Sequence, residues 1–272
     1  MKKFIKVLFV IILCLGAVGC SSNETKEEDK VIKVAATLDP HSKILEFAKG
    51  ILKEKGWDLE IIVLDNYYIF NESLNSKEID ANYFQHLPFF NDEKEKNGYD
   101  IVNVAGIHIE PFGFYSKKIT DVSEFPENGE IIISNSISDQ GRILAILENA
   151  GLIKLANDDP TTLTLNDITE NSKNIQFKEV NPELLTTVYE EGEGDLVAIN
   201  GNYALQANLN PVKDAVILEN ADATNPYVNI VAARSDNQDS EAIKILVEVL
   251  TSKEVKEFIK STYADGSVIP SN

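Results

Sequence analysis

An α/β fold of two lobes is what this sequence predicts, and three observations predict it. From Val31 to the C-terminus, short β-rich runs alternate with stretches of helical periodicity. About 240 residues lie in that part of the chain, more than the commonest single domain holds. No Gly/Ser- or Pro-rich linker divides them, which fits a chain that crosses more than once between its lobes.

The N-terminus reads as an export signal. Lys2, Lys3 and Lys6 precede an apolar run over residues 7–15, and a small-residue stretch ends at Cys20. The run is far short of the ~20 residues that a bilayer span requires, so a cleaved signal over residues 1–19 is expected rather than a transmembrane helix. Residues 20–30 are polar, lack aromatics and read as a tether, because they cannot bury enough apolar surface to fold.

Loss of the three signal lysines takes the formal charge from −19 to −22. An acidic body of this kind excludes nucleic acid as a partner and favours a soluble monomer. Cys14 leaves with the signal and only Cys20 remains, which excludes disulfides, zinc–cysteine sites and cysteine nucleophiles.

The first βαβ unit is a strand over 31–38, a helix over 42–55 with Ile44, Phe47, Ala48, Ile51 and Leu52 as its apolar stripe, and a parallel strand over 59–64. Gly56 closes the helix. Strands follow at 81–84, 101–104 and 131–134, then a helix over 141–149 closed by Gly151. A strand at 175–180, a helix at 182–190 and strands at 196–199, 216–218 and 228–233 continue the alternation. One long helix over 240–263 ends the chain, with Ile243, Leu246, Val247, Leu250, Val255, Phe258 and Ile259 facing inward. Crossings between lobes are expected near 110–115 and 227–230, giving lobe one as 31–112 plus 230–272 and lobe two as 113–229.

Candidate chemistry gathers at strand ends, where open α/β sheets place their ligand crevice. His41, His86 and His108 all fall in the first lobe. Three converging imidazoles suit zinc, but without a spacing such as His-Glu-x-x-His, hydrogen-bonded packing is the better reading and no metal or other cofactor is expected. The chain has no Gly-x-Ser-x-Gly elbow and no thiol, so no catalytic residue is assigned.

Aromatic residues mark an apolar slot: Tyr67 and Tyr68, then Tyr83 and Phe84, then Phe112, Phe114 and Tyr115. Arg142 follows Ser138-Asp139-Gln140-Gly141 directly after a predicted strand, in the expected first turn of a helix. A cation suits that end of a helix dipole poorly, which favours a planar fork gripping a carboxylate. Asn200, Asn202, Asn225 and Asn229 offer donors and acceptors opposite. Together these residues describe an amino-acid receptor without catalysis.

Several segments resemble the methionine-binding lipoproteins of the NlpA/MetQ family, substrate-binding subunits of a methionine ABC transporter. They include Asp39-Pro40-His41, Asp80-Ala81-Asn82-Tyr83-Phe84-Gln85-His86, His108-Ile109-Glu110-Pro111, Gly141-Arg142, Ala198-Ile199-Asn200-Gly201-Asn202-Tyr203 and Pro226-Tyr227-Val228-Asn229. They run in order over nearly the whole mature chain. Ala17-Val18-Gly19-Cys20 is similar to a bacterial lipobox, with Ala17 where leucine is usual.

The resemblance implies a periplasmic-binding-protein-like fold, two α/β lobes joined by crossover strands around a ligand cleft. It implies a lipid anchor on Cys20 at the cell membrane, facing outside the cytoplasm, and delivery of L- or D-methionine to a permease driven by an ATPase. The thioether lies among Tyr67, Phe84 and His86, the carboxylate meets Arg142, Asn200 and Asn229 hold the polar head, and His108 completes the ligand-binding set. Departures over residues 135–140 and 66–71 admit a methionine-containing dipeptide or another apolar amino acid as ligand. A zinc-binding surface protein or hydrolase built on the three histidines, and an adhesin that has lost transport, are the alternatives of other classes.

Overall fold

The computed structural model describes residues 30–160, 162–222 and 225–272. The expected signal, the lipid-bearing Cys20 and the tether up to residue 29 lie outside the described residues.

The chain opens with strand β1 (Val31–Ala36), helix α1 (Lys43–Glu54), β2 (Asp58–Val63), α2 (Tyr67–Asn75), β3 (Ala81–His86), α3 (Leu87–Asn97) and β4 (Ile101–Ile109). It continues with β5 (Gly113–Tyr115), β6 (Glu130–Ser134), α4 (Ile137–Asn149), the short pair β7 (Lys154–Leu155) and β8 (Ile168–Glu170), β9 (Gln176–Val180), α5 (Leu185–Glu190) and β10 (Leu196–Ile199). Helices α6 (Gly201–Gln206) and α7 (Pro211–Asp214) and strand β11 (Ile217–Leu218) follow, then β12 (Asn229–Arg234), α8 (Glu241–Leu250), α9 (Lys253–Thr262) and β13 (Ile269–Pro270).

Two sheets carry the architecture. The first has the order β13-β4-β12-β3-β1-β2, and the second β11-β5-β10-β6-β9. β1 pairs in parallel with β2 and β3, as the first βαβ unit requires, while β12 lies antiparallel between β3 and β4. The chain leaves the first sheet after Ile109, enters the second at Gly113, and returns between Leu218 and Asn229. β3 is buried along its whole length, because it is interior to the six-stranded sheet and covered on both faces.

One apolar core packs Ile32, Val34 and Ala36 of β1 against α1, α8 and α9. A second packs Phe112, Phe114 and Ile131 against Ile143, Leu144 and Leu147 of α4. A third bridges the two sheets, joining Tyr67, Phe70, Phe84 and Phe89 to Ile132, Ile199 and Tyr203. This bridging core holds the lobes against each other across the cleft.

Three elements depart from the sequence reading. Tyr67 and Tyr68 open helix α2 instead of ending a strand, because Asn66 takes the N-cap position and its side chain accepts from the Tyr68 N–H at 2.9 Å. The single terminal helix is two: Ser252 adopts extended dihedrals and its hydroxyl accepts from the Val255 N–H, starting α9 afresh. Helix α4 begins at Ile137, four residues before Gly141, so Arg142 stands in its second turn and not its first. Gly141 marks a close approach: a Cβ there would lie 1.7 Å from the Pro160 carbonyl oxygen.

Candidate ligand cleft

Where the two sheets meet, the end of β3 faces the start of α4 through His86 and Asp139, and the start of α2 faces α6 through Tyr67 and Asn202. Tyr67 and Phe84 stand in the bridging core, with ring centroids 5.7 Å apart, and Tyr67 stacks on Tyr203 at 4.8 Å. Hydrogen bonds tie the walls together. The Tyr67 hydroxyl donates to Asn202 Oδ1 at 2.5 Å, and the Tyr203 hydroxyl donates to the Asp65 carbonyl at 2.7 Å.

Arg142 stands on α4 and is 4 % exposed. Its Nε and Nη2 donate to Glu219 at 3.0 and 2.6 Å, and Nη2 also donates to the Glu110 carbonyl at 2.7 Å. The guanidinium lies over Tyr227, 4.4 Å from the ring centroid. Burial opposes its charge, but Glu219 more than offsets this and lifts its pKa above the ordinary value. Burial likewise pushes the Glu219 carboxyl up, and the guanidinium overrules it and holds the group below the usual range. The fork expected to grip a ligand carboxylate therefore has its two-nitrogen edge on an internal carboxylate; Nη1 has no hydrogen bond among those described.

His86 ties β3 to α4. Its Nδ1 accepts from the Phe89 N–H at 3.1 Å, capping α3, so the ring carries its proton on Nε2 and donates it to Asp139 Oδ1 at 2.9 Å. Asn200 Nδ2 donates to the other oxygen of Asp139 at 3.3 Å. Burial raises the Asp139 carboxyl, but His86, Arg142 and Asn200 outweigh burial and leave it below its ordinary value, hence ionised. Asn200 Oδ1 and Asn202 Nδ2 are buried and have no hydrogen-bond partner among the described residues.

Behind this layer lies a closed polar cluster. Glu110 Oε1 meets His108 Nε2 at 2.8 Å and His41 Nε2 at 3.6 Å. His41 Nε2 also donates to Asn229 Oδ1 at 3.0 Å, while its Nδ1 takes the Thr37 hydroxyl at 2.6 Å, and His108 Nδ1 takes the Tyr83 hydroxyl. Burial drives the His41 pKa down to about 4, against the pull of Glu110, and the His108 pKa down to about 3. Glu110 is raised, burial outweighing His41 and Arg142.

The three histidines do not converge. His41, His108 and Glu110 place donor atoms within 4.8 Å of one another, but His86 turns away to Asp139. Every ring nitrogen of the pair already has a protein partner.

Of the candidate residues, Tyr67 and Phe84 stand in the bridging core, His86 and Asn200 meet at Asp139, Arg142 pairs with Glu219, Asn229 accepts from His41, and His108 has both nitrogens engaged. Asn229 belongs to β12 in the first sheet, opposite His86 and His108, and not to the far wall. Asp139, Glu110, Glu219 and Tyr227 touch these candidates, although the sequence reading does not pick them out. Asp139 and Glu110 sat inside motifs already noted, where an acid flanking a strand end was the available signal. Glu219 had none.

The NlpA lipoprotein family model matches residues 32–272. The chain is 47 % identical to the methionine-binding lipoprotein MetQ of Bacillus subtilis, over 99 % of its own length and 98 % of the relative's. A periplasmic substrate-binding protein of an ABC transporter from Coxiella burnetii is similar at a TM-score of 0.81 and 35 % identity, with 88 % of this chain and 100 % of that one covered. A nutrient-binding protein from Burkholderia cenocepacia, solved with methionine bound, is similar at a TM-score of 0.82 and 36 % identity, covering 89 % and 100 %. The two-lobed periplasmic-binding-protein fold is thus the one this chain adopts, and the chain belongs to the NlpA lipoprotein family.

Proposed function

We propose that this protein captures methionine outside the cytoplasm, held to the membrane by acyl chains on Cys20, and presents it to the permease and ATPase of an ABC transporter. It works as a monomer and performs no chemical step. The observation that carries the reading is that, where the two sheets meet, the aromatic residues Tyr67 and Phe84 stand together with Asn202 on the Tyr67 hydroxyl, while Asn200 and Asn202 each keep a buried polar atom with no partner among the described residues. A thioether gains ~0.3–1.5 kcal/mol from each aromatic contact, and an amino-acid head needs donors and acceptors together. The methionine-binding relative and the methionine-bound neighbour support the same ligand.

Closure, on this reading, swings the first sheet and its helices, residues 31–109 and 229–272, against the second, residues 113–218, about the crossing at 110–112. Ligand joins the bridging core and holds the closed form. No helix among the described residues is long and apolar enough to cross a membrane, in keeping with attachment by lipid.

Calorimetric titration of ligand-stripped protein tests the assignment. L-Methionine gives heat, norleucine binds within about ten-fold, and alanine, which lacks the buried side chain, binds about 10- to 100-fold more weakly. Equal affinity for alanine and methionine, or no heat from either, would remove methionine as ligand. Heat from glycylmethionine alone would move the assignment to the dipeptide and leave the receptor role standing.

A further inference from the structure

Hydrogen bonds join the two lobes at the cleft, where Tyr67 meets Asn202, Tyr203 meets the Asp65 carbonyl and His86 meets Asp139. Another joins them elsewhere. Asn210, between α6 and α7, donates from Nδ2 to Asp265 Oδ2 at 2.5 Å. Asp265 lies in the turn between α9 and β13, so the bond runs from the lobe of the second sheet to that of the first. It borders a separate cavity of about 280 Å³, lined by Leu205, Asn208 and Leu209 from one lobe and Asp39, Lys43 and Tyr263 from the other. None of the candidate ligand residues lines that cavity.

Both ends of the bond are fixed before they meet. Asn210 caps α7: its Oδ1 accepts from the Val212 and Lys213 N–H groups at 3.0 Å, which orients the amide and leaves Nδ2 to donate outward. Asp265 Oδ1 accepts from the Ser267 N–H at 3.0 Å and its hydroxyl at 2.7 Å, which leaves Oδ2 for the opposite lobe. Burial pushes this carboxyl up, but Ser267, Asn210 and Lys213 outweigh burial and hold it below its ordinary value. A capping role accounts for Asn210 Oδ1 and for nothing that Nδ2 does, since its partner is 55 residues away on the other lobe.

Helix α6 connects this contact to the cleft. Asn202 and Tyr203, in its first turn, reach Tyr67 and Asp65, Leu205 packs against the core of the first lobe, and Asn210 follows its last residue, Gln206, by four. Parting the lobes therefore breaks the outer bond together with those of the cleft. Asp265 is exposed, so water takes over both groups as they separate, and the bond slows opening without forbidding it.

We infer that Asn210 and Asp265 form a latch between the lobes, outside the ligand cleft, that sets how long a bound ligand stays without touching it. The inference rests on the receptor reading and the closure described above, and adds to them a pair of positioning residues that tune release.

Asn210→Asp reverses the latch and spares the cap, because a carboxylate oxygen accepts from the α7 amides as well as an amide oxygen does. Facing Asp265, it turns an attraction into a repulsion. Radiolabelled L-methionine is loaded on the full chain, purified in detergent, and its release into unlabelled methionine is followed by rapid filtration. Release quickens about five-fold at ~20 mM salt, and the excess shrinks at ~0.5 M because exposed charges are screened. The association rate stays as it was.

Adding Asp265→Asn exchanges donor and acceptor between the lobes and returns release to its original rate. The Asp214 carboxylate, which accepts from the residue 210 N–H within the same lobe, is untouched by the exchange, so recovery reads the bond between lobes and not a disturbed α7. Should Asn210→Asp fold poorly, Asp265→Asn alone decides: it sets one NH₂ group against another and quickens release about three-fold. Release unaltered in these variants, or quickened and not recovered by the exchange, overturns the latch and leaves the receptor reading standing. Unaltered protein that retains no labelled methionine overturns both.

Discussion

Gly141 and Arg142 are neighbours with different kinds of reason for being where they are. Gly141 is required by contact, since any side chain would enter the Pro160 carbonyl, its Cβ falling 1.7 Å from that oxygen. Gly141→Ala therefore forces the loop before residue 161 away from α4, at a cost on the order of 1–3 kcal/mol. A drop of that size in urea-unfolding free energy is expected, and an unchanged midpoint would sink the account. Arg142 is required by charge. Its candidacy was legible from a strand, a polar loop and a helix in succession, but its partner Glu219 lies 77 residues away, and no local pattern links two positions that far apart.

At the scale of elements, periodicity did most of what could be asked of it. The apolar stripe of α1, the parallel β1–β2 pair and β10 as bounded all follow from spacing alone. The break between α8 and α9 escaped because apolar spacing runs on through it: Leu246, Val249 and Leu250 before the break and Val255 and Ile259 after it are all buried. What divides the helices is a single hydroxyl, Ser252 Oγ on the Val255 N–H. Ser252→Ala removes that cap and should lower stability by about 1 kcal/mol, read as a shift in urea midpoint with methionine affinity unchanged. A loss of affinity as large as the loss of stability would mean that α9 communicates with the cleft, contrary to this view.

For the whole molecule, the buried histidines set how stability depends on pH. His41 and His108 have folded pKa values of about 4 and about 3, below the ~6.5 of an unfolded histidine. Between about pH 6.5 and those values the unfolded chain binds protons that the folded chain refuses, so stability is full above pH 6.5 and falls as pH falls. Asp139 and Glu219, both held below the ordinary carboxylate value, extend the loss to lower pH. Glu110, raised by burial, works the other way, since its proton is taken up in the folded state first.

Relief of repulsion among the surplus acids also favours the fold as pH approaches the isoelectric point near 4.5. Two fully buried rings, each on the order of a few kcal/mol, outweigh both. Urea midpoints should therefore decline steadily from pH 7 to pH 4.5. A flat or rising profile would show that the rings are not buried neutral.

Composition and pattern alone determined the α/β class and the alternation of elements, and they pick out Arg142 and the aromatic residues as candidates, because these depend on local periodicity and on residue types less common here than acids. Acids are not scarce: 44 are present, and beyond a place near a strand end for Glu110 and Asp139 nothing local distinguishes these two, or Glu219 at all, from the rest. Only the tertiary structure brought these three into the cleft and sent His86 to Asp139, and only it left His41 and His108 facing Glu110 in the layer behind. The physical reason is that burial of a charge is decided by what the fold places beside it, and apart from His108 and Glu110, two residues apart, the partners here lie far apart in the chain, from His86 and Asp139 at 53 to His41 and Asn229 at 188.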